Sequence, residues 1–175
     1  MLSEIPIKIL MVDDNTGDVR LVREMLEDGN EPYKLKYVKK FSTGLESLTK
    51  GNVDVVLLDL GLPDSKHLYT LQSVCKDAPE IPVVVYTDFD DIDVAVYAIK
   101  MGAQDYLIKG QMDSTRLRNS IRFAIERKQM ENELKSYSEL LKEVIAEKTG
   151  KTKTIEPLTT SDETAEVGSH SLDPL

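Results

Sequence analysis

Residues 53–63 read VDVVLLDLGLP, and this stretch decides the fold. Its first six residues form a nearly continuous apolar run, which is typical of a strand buried on both faces of a parallel sheet. A single carboxylate, Asp59, follows the run, and the segment 61–65, which contains Pro63, predicts a loop. The stretch therefore predicts a central parallel strand that ends in one acidic side chain.

Similar units lie on both sides of this strand. Apolar or alternating runs predict further strands at 7–12, 33–38, 81–86 and 104–108, and amphipathic segments predict helices at 15–28, 43–50, 67–75, 90–101 and from 114 onward. Asn15 is a candidate N-cap, and Asp18 three residues later resembles a capping box. Five βα units in a row predict an α/β fold with a parallel sheet, right-handed crossovers and helices on both faces.

Composition excludes several classes of protein. The chain has 175 residues, 41% of them hydrophobic, and a net charge of −9, so we expect no direct binding to nucleic acid. Cys75 is the only cysteine, which excludes a disulfide framework within the chain. The sequence has no run of about 20 apolar residues and no signal-peptide pattern at its start, so we expect a cytoplasmic protein without a membrane span.

The last predicted helix is unusually long. No proline or glycine occurs between Ser114 and Lys148, and six apolar side chains follow a three-four spacing that only Arg127 interrupts: Phe123, Met130, Leu134, Tyr137, Leu141 and Val144. This is about three heptads, near the lower limit for a coiled coil. The pattern favours a homodimer through this helix over a helix that folds back on its own domain. We expect a domain at 1–128, a helical extension at 129–148 and a disordered tail at 149–175.

Polar residues follow the predicted strands at the edge where ligands bind in such sheets. The first strand ends in Asp13 and Asp14, the third in Asp59, the fourth in Thr87 and the fifth in Lys109. Converging carboxylates repel one another unless a cation is present, and an all-oxygen set favours Mg²⁺. Each residue also has an ordinary interpretation, because aspartates cap helices or begin turns and a lysine is often solvated. Five such residues at strand ends favour a site.

This combination fits a carboxylate that receives phosphate. Asp59 would attack phosphorus, while Lys109 and the metal ion would neutralise the equatorial oxygens and the Thr87 hydroxyl would contact one of them. Such catalysis depends on positioning and electrostatics, which this set of side chains supplies.

Four motifs carry a family resemblance: VDD at 12–14, LLDLGLP at 57–63, VYT at 85–87 and GAQDYLIK at 102–109. Together they resemble the receiver domains of two-component response regulators over residues 6–128. The resemblance implies a flavodoxin-like, doubly wound sheet of order 2-1-3-4-5. It also implies that Asp14, Asp59 and the Gly61 carbonyl bind the metal ion, with Asp13 acting largely through water. Tyr106 matches the aromatic residue that turns inward when Thr87 moves toward the phosphoryl group; as an alternative, it is an ordinary edge-strand aromatic.

The sequence departs from the family pattern at two places. Most receivers follow the lysine with a cis-proline, but Gly110 follows Lys109 here. Because a cis bond without proline costs about 3 kcal/mol, we predict a trans bond. The residue after the threonine is usually small, whereas here Asp88 and Phe89 follow. The ending of the domain and the long helix resemble receivers that stand alone, including those of archaeal methanogens.

The sequence therefore predicts a stand-alone response regulator receiver. It would accept a phosphoryl group on Asp59 from a sensor histidine kinase and signal through phosphorylation-dependent contacts with a downstream protein. We expect no separate enzyme activity beyond assistance to its own phosphorylation and dephosphorylation. The sequence leaves two alternatives. A small-molecule phosphatase or phosphotransferase generally needs a cap or a second acid two residues after the nucleophile, where Gly61 stands; a degenerate, unphosphorylated scaffold would not need the complete set of site residues.

Overall fold

Strands and helices alternate along the chain. The computed structural model describes residues 5–149. The elements are β1 (Ile7–Val12), α1 (Thr16–Glu27), β2 (Tyr33–Val38), α2 (Phe41–Thr49), β3 (Val55–Leu58), α3 (Leu68–Asp77), β4 (Val83–Thr87), α4 (Ile92–Lys100), β5 (Asp105–Ile108) and α5 (Ser114–Thr149).

The five strands form one parallel sheet of order β2-β1-β3-β4-β5. β3 lies at its centre, where Leu58 pairs with Val12 of β1 and Val85 of β4. The chain runs outward from β1 to β2 and then returns to continue on the other side with β3, so the direction of winding reverses between β1 and β3. The predicted flavodoxin-like topology is confirmed.

Both faces of the sheet are buried. Val56 and Leu58 of β3 point into the cluster beneath α2, α3 and α4, whereas Val55 and Leu57 point into the cluster beneath α1 and α5. All four side chains have no exposed surface. Alternation along a single strand therefore supplies both cores, which explains why the run around residues 53–58 contains so few polar residues.

Several element boundaries differ by one or two residues from the sequence prediction, and three of the differences have a cause that the structure shows. α2 begins at Phe41 and not at residue 43, because the Asp64 carboxylate accepts hydrogen bonds from the backbone N–H groups of Phe41 and Ser42. β3 begins at Val55, after Asp54 has turned its carboxylate to the backbone N–H of Lys8. α3 begins at Leu68, because His67 adopts a backbone φ of 41° that does not belong to a helix.

The long C-terminal helix is present as predicted and continues to Thr149, one residue into the segment predicted as a disordered tail. The chain divides into two units after Ser138. Within the first unit, Asn132 donates a hydrogen bond to the Glu80 carbonyl, four residues beyond the predicted domain end at 128. The remainder of the predicted tail, 150–175, lies outside the described residues. Within residues 5–149, no helix is both long and apolar enough to span a bilayer.

Candidate functional site

The ends of β1 and β3 bring three carboxylates together. Asp13 and Asp14 directly follow β1, and Asp59 directly follows β3. The backbone N–H of Asp59 donates to the Val12 carbonyl at 3.0 Å, which joins the two strand ends. One oxygen from each of the three carboxylates lies within 4.8 Å of the others. The convergence predicted from the strand ends is therefore present.

Asp59 is held at both of its carboxylate oxygens. Oδ1 accepts a hydrogen bond from the Gly61 backbone N–H at 3.0 Å, and Oδ2 lies 2.9 Å from the Lys109 ammonium nitrogen. The residue is 5% exposed. These contacts orient the carboxylate at the floor of the site while leaving it reachable from the carboxyl edge of the sheet. The predicted role of the Gly61 carbonyl as a metal ligand stays a prediction.

Asp13 and Asp14 differ in exposure. Asp13 is fully buried; its Oδ1 accepts from the Asn15 backbone N–H at 2.8 Å and its Oδ2 lies 2.8 Å from Lys109 Nζ. Burial raises the pKa of Asp13, and the contacts with Lys109 and Asn15 oppose that rise only in part. Asp14 is exposed to solvent. The pair thus offers one carboxylate inside the site and one at its rim.

Lys109 lies among three carboxylates. Its Nζ is 2.8 Å from Asp13, 2.9 Å from Asp18 and 2.9 Å from Asp59, and its side chain is 5% exposed. Burial alone would lower the pKa of this ammonium group, but the three carboxylates outweigh it and raise the pKa above its ordinary value. Lys109 therefore carries a positive charge at neutral pH. The Lys109–Gly110 bond is trans, as predicted.

Asp18 is the site residue that sequence reasoning missed. Its position three residues after Asn15 predicts a capping box. The structure confirms Asn15 as the N-cap, which accepts from the Gly17 backbone N–H, but the Asp18 carboxylate points to Lys109. The capping-box interpretation of Asp18 is therefore wrong. Its one sequence signal was an acid on the first turn after the Asp13–Asp14 pair.

Thr87 and Tyr106 lie beside the cluster. Thr87 is the last residue of β4 and fully buried, and its hydroxyl has no hydrogen-bond partner among residues 5–149. Its carbonyl accepts from the Lys109 backbone N–H at 2.9 Å. The Tyr106 hydroxyl donates to the Phe89 carbonyl at 2.7 Å, and the Phe89 ring meets His67 edge-on at 5.0 Å. Tyr106 therefore links β5 to the loop after Thr87.

The residues present fit a small divalent cation. The carboxylates of Asp13, Asp14 and Asp59 place one oxygen each within 4.8 Å of the others. Lys109 forms ion pairs with Asp13 and Asp59 of this cluster and with Asp18 beside it. Oxygen donors of this kind suit hard cations such as Mg²⁺. The unpartnered Thr87 hydroxyl adds a donor for an anion, because a buried hydroxyl without a partner is costly. The site can thus receive a cation and a phosphoryl group side by side.

Comparison with known proteins establishes the family. Residues 9–122 match the response regulator receiver domain, so the chain belongs to the receiver family of response regulators. A curated relative is the luminescence regulatory protein LuxO of Vibrio campbellii, 39% identical over 117 residues. The match covers 67% of this chain and 25% of that protein. The chain thus spans about a quarter of the length of the curated relatives it matches.

Solved structures show the same architecture. The CheY-like receiver domain protein of Methanospirillum hungatei superposes with a TM-score of 0.63 at 22% identity, covering 73% of this chain and 99% of that one; this likeness shows the fold alone. The Mn²⁺-bound form of the response regulator Rcp1 gives a TM-score of 0.56 at 25% identity, covering 69% of this chain and 91% of that one. The predicted methanogen subgroup stays a prediction.

Proposed function

We propose that this receiver accepts a phosphoryl group on Asp59 from a sensor histidine kinase, with Mg²⁺ bound beside it. The observation that carries the proposal is the environment of Asp59. Its carboxylate contacts a charged lysine and lies within 4.8 Å of two other acids. The backbone of that lysine is bonded to Thr87, whose buried hydroxyl has no hydrogen-bond partner among residues 5–149. A structural aspartate would not need all of these groups around it.

The chemistry is a transfer between two nucleophiles. One Asp59 oxygen forms a bond to phosphorus while the bond between phosphorus and the donor's imidazole nitrogen breaks, and the electron pair of that bond returns to the nitrogen. The product is an acyl phosphate on Asp59. Lys109 can neutralise a phosphoryl oxygen, because its Nζ already lies 2.9 Å from the attacking carboxylate. The Gly61 N–H orients the other oxygen of Asp59.

Mg²⁺, when bound, supplies positive charge to the phosphoryl oxygens and to the crowded carboxylates. Asp14 and Asp59 would hold it directly, and buried Asp13 would hold it largely through water. The manganese form of Rcp1 supports a divalent cation in this family. The carboxylate cluster in this chain is compatible with the same class of ion.

A change at Thr87 would report the phosphoryl group to the surface. We infer that the Thr87 hydroxyl moves to a phosphoryl oxygen, since this would give it the partner it lacks. The following loop, which holds Phe89, would move with it. Tyr106 would adjust in turn, because its hydroxyl is bonded to the Phe89 carbonyl. The rearranged surface beside β5 would then be contacted by a downstream protein.

The same proposal covers the wider function of the chain. We propose a cytoplasmic signalling protein whose output is a protein contact and which has no enzyme activity apart from its own phosphorylation and dephosphorylation. The proposal includes a receiver that stands alone. The curated relative LuxO is about four times longer than the matched region, so the output of that protein is not carried over to this chain. The net charge of −9 supports an output that does not involve direct binding to nucleic acid.

We further propose that the chain forms a homodimer through α5. The six side chains of the predicted stripe are 37–69% exposed: Phe123, Met130, Leu134, Tyr137, Leu141 and Val144. Arg127, which interrupts the stripe, donates to the carbonyl and side chain of Gln104, so its polar character has a structural reason. Burying each large apolar side chain is worth about 1.5–3 kcal/mol, part of which offsets the entropy lost on association.

Light scattering tests the dimer. The full chain should give a dimer mass, whereas a version that ends after Arg127 should give a monomer mass. Leu134→Lys should weaken the dimer, and Ser136→Lys, which adds the same charge on the same helix but off the stripe, should not. Monomer masses for all four proteins at the highest soluble concentration would contradict the proposal.

Intact-mass spectrometry with acetyl phosphate and Mg²⁺ tests the phosphoacceptor function. Wild type should gain one phosphoryl group and Asp59→Asn none. Asp88→Asn is the matched control, because Asp88 is an exposed carboxylate at the end of a neighbouring strand, and it should gain one group like wild type. Equal uptake by wild type and Asp59→Asn would contradict the proposal.

A further inference from the structure

Lys109 contacts more carboxylates than the proposed phosphoryl transfer requires. Its nitrogen lies 2.8–2.9 Å from three carboxylates, those of Asp13, Asp18 and Asp59. The Asp59 contact is a hydrogen bond, and the other two are ion pairs without hydrogen-bond geometry. Asp59 is the proposed acceptor and Asp13 a proposed metal contact, so both must change partners during the reaction. Asp18 has neither role.

Asp18 is placed to act on Lys109 alone. It lies on the first turn of α1, where the helix dipole favours a carboxylate. Its side chain is 20% exposed, and its Oδ2 atom lies 2.9 Å from Lys109 Nζ. Apart from Lys109, no cation forms an ion pair with Asp18 within residues 5–149. Asp18 can therefore remain paired with the Lys109 ammonium group while Asp13 and Asp59 bind other ligands.

Tyr86 contacts the same ammonium group from another side. Its ring centroid lies 5.5 Å from Lys109 Nζ, within the range of a cation–π interaction. Tyr86 is 1% exposed on β4, and its hydroxyl has no hydrogen-bond partner among the described residues. The buried ring, and not the hydroxyl, is therefore the part of Tyr86 that has a contact near the site.

We propose that Asp18 and Tyr86 are positioning residues that hold Lys109 toward Asp59 throughout phosphorylation. This inference rests on the proposed phosphoacceptor function. With its ammonium group held by α1 and β4, Lys109 can meet a phosphoryl oxygen without first being ordered. Without Asp18, the group would be held by Asp13 and Asp59 alone, and these are the residues that leave it when metal and phosphoryl group bind.

The first test measures the rate of phosphoryl uptake from acetyl phosphate in Mg²⁺. Asp18→Asn should lower the initial rate about tenfold, less than the ~100-fold that a displacement of ~1 Å can cost. Asp93→Asn is the matched control: it removes the same charge from the first turn of another helix, α4, and should leave the rate unchanged. Tyr86→Leu should slow uptake more than Tyr86→Phe, which keeps the ring.

Mg²⁺ affinity, measured by calorimetry, separates positioning from metal binding. Asp18→Asn should bind Mg²⁺ within about twofold of wild type, because the other three carboxylates remain. In a Lys109→Met background, Asp18→Asn should have no further effect on the uptake rate. A tenfold loss of rate that persists without Lys109 would overturn the proposal, as would equal rates for Asp18→Asn and Asp93→Asn.

A second test needs no phosphodonor. Urea unfolding in metal-free buffer gives midpoints for wild type, Asp18→Asn, Lys109→Met and the double variant. Asp18→Asn should lower the midpoint relative to its parent more when Lys109 is present than when it is absent. Equal changes in both backgrounds would show that Asp18 does not hold Lys109. If wild type took up no phosphoryl group, the proposed function would fail, and this cycle would still decide whether Asp18 and Lys109 interact.

Discussion

Replacing Lys109 with methionine should destabilise the metal-free protein strongly at neutral pH. The variant keeps a long apolar stem but leaves Asp13, Asp18 and Asp59 without their cation. Asp13 is fully buried and Asp59 nearly so. Breaking a buried ion pair from one side costs about 3–5 kcal/mol. This is a large part of the roughly 5–15 kcal/mol that stabilises a typical domain, and it should lower the melting temperature by roughly 10 °C.

The free energy of unfolding that Lys109→Met loses should depend on pH in a defined direction. Burial raises the pKa of Asp13, so the folded state holds a proton on this group more tightly than the unfolded state does. Removing Lys109 takes away a contact that opposes the rise, which moves the pKa further upward. The difference in the free energy of unfolding between wild type and Lys109→Met should therefore become smaller as the pH falls from 7.5 toward 5. Lys109 itself stays charged over this range in wild type, because its pKa is raised.

Urea unfolding followed by circular dichroism, with EDTA present, measures the effect. Lys100→Met is the control, because it removes an exposed lysine at the end of α4 and should change stability by less than about 0.5 kcal/mol. Adding Mg²⁺ should reduce the difference in the free energy of unfolding between Lys109→Met and wild type, because the metal ion then supplies positive charge to the carboxylates. A loss below about 1 kcal/mol in EDTA, or a deficit that widens toward pH 5, would refute the electrostatic account of the site.

Two further predictions concern single carboxylates. Asp14→Ala should weaken Mg²⁺ binding in calorimetry without lowering the metal-free melting temperature, because Asp14 is exposed and its removal lessens repulsion among the acids; a clear fall in that temperature would contradict this. Asp64→Ala should destabilise the domain by about 1 kcal/mol or less at neutral pH, through loss of the cap at α2. The hydrogen bond from the backbone N–H of Phe41 is the main cause of the lowered Asp64 pKa, and burial opposes it slightly. The stability that Asp64 contributes should therefore be present above about pH 4 and be lost as the pH falls below it. A stability difference between wild type and Asp64→Ala that is unchanged at pH 3 would argue against the cap.

The parts of the fold that depend on local pattern were predictable from the sequence. The apolar run before Asp59 predicts a strand buried on both sides, and the sheet order followed from the family resemblance. Asp13, Asp14, Asp59, Thr87 and Lys109 could be brought together because all of them follow strands, and the carboxyl ends of parallel strands share one edge. Strand ends therefore predict proximity even when the residues are far apart in sequence.

The parts that depend on side-chain direction were not predictable. Asp18 lies 91 positions before Lys109, and the long lysine side chain could have turned in several directions, so nothing local distinguished a cap from an ion pair. The start of α2 was placed too late for the same reason, because its cap comes from Asp64 in another loop. His67 has a positive φ of 41°, and the amphipathic pattern that predicts a helix start at this residue carries no signal for that conformation.

The position of the acyl phosphate is the most direct test of the central claim. After treatment with acetyl phosphate and Mg²⁺, borohydride reduction converts a phosphorylated aspartate to homoserine, and peptide mapping by mass spectrometry locates the change. The structure predicts homoserine at Asp59, with Asp13, Asp14 and Asp18 unmodified and no conversion in Asp59→Asn. Conversion at one of the other three aspartates, or no conversion at Asp59 when the intact protein carries a phosphoryl group, would contradict the assignment of Asp59 as the phosphoacceptor.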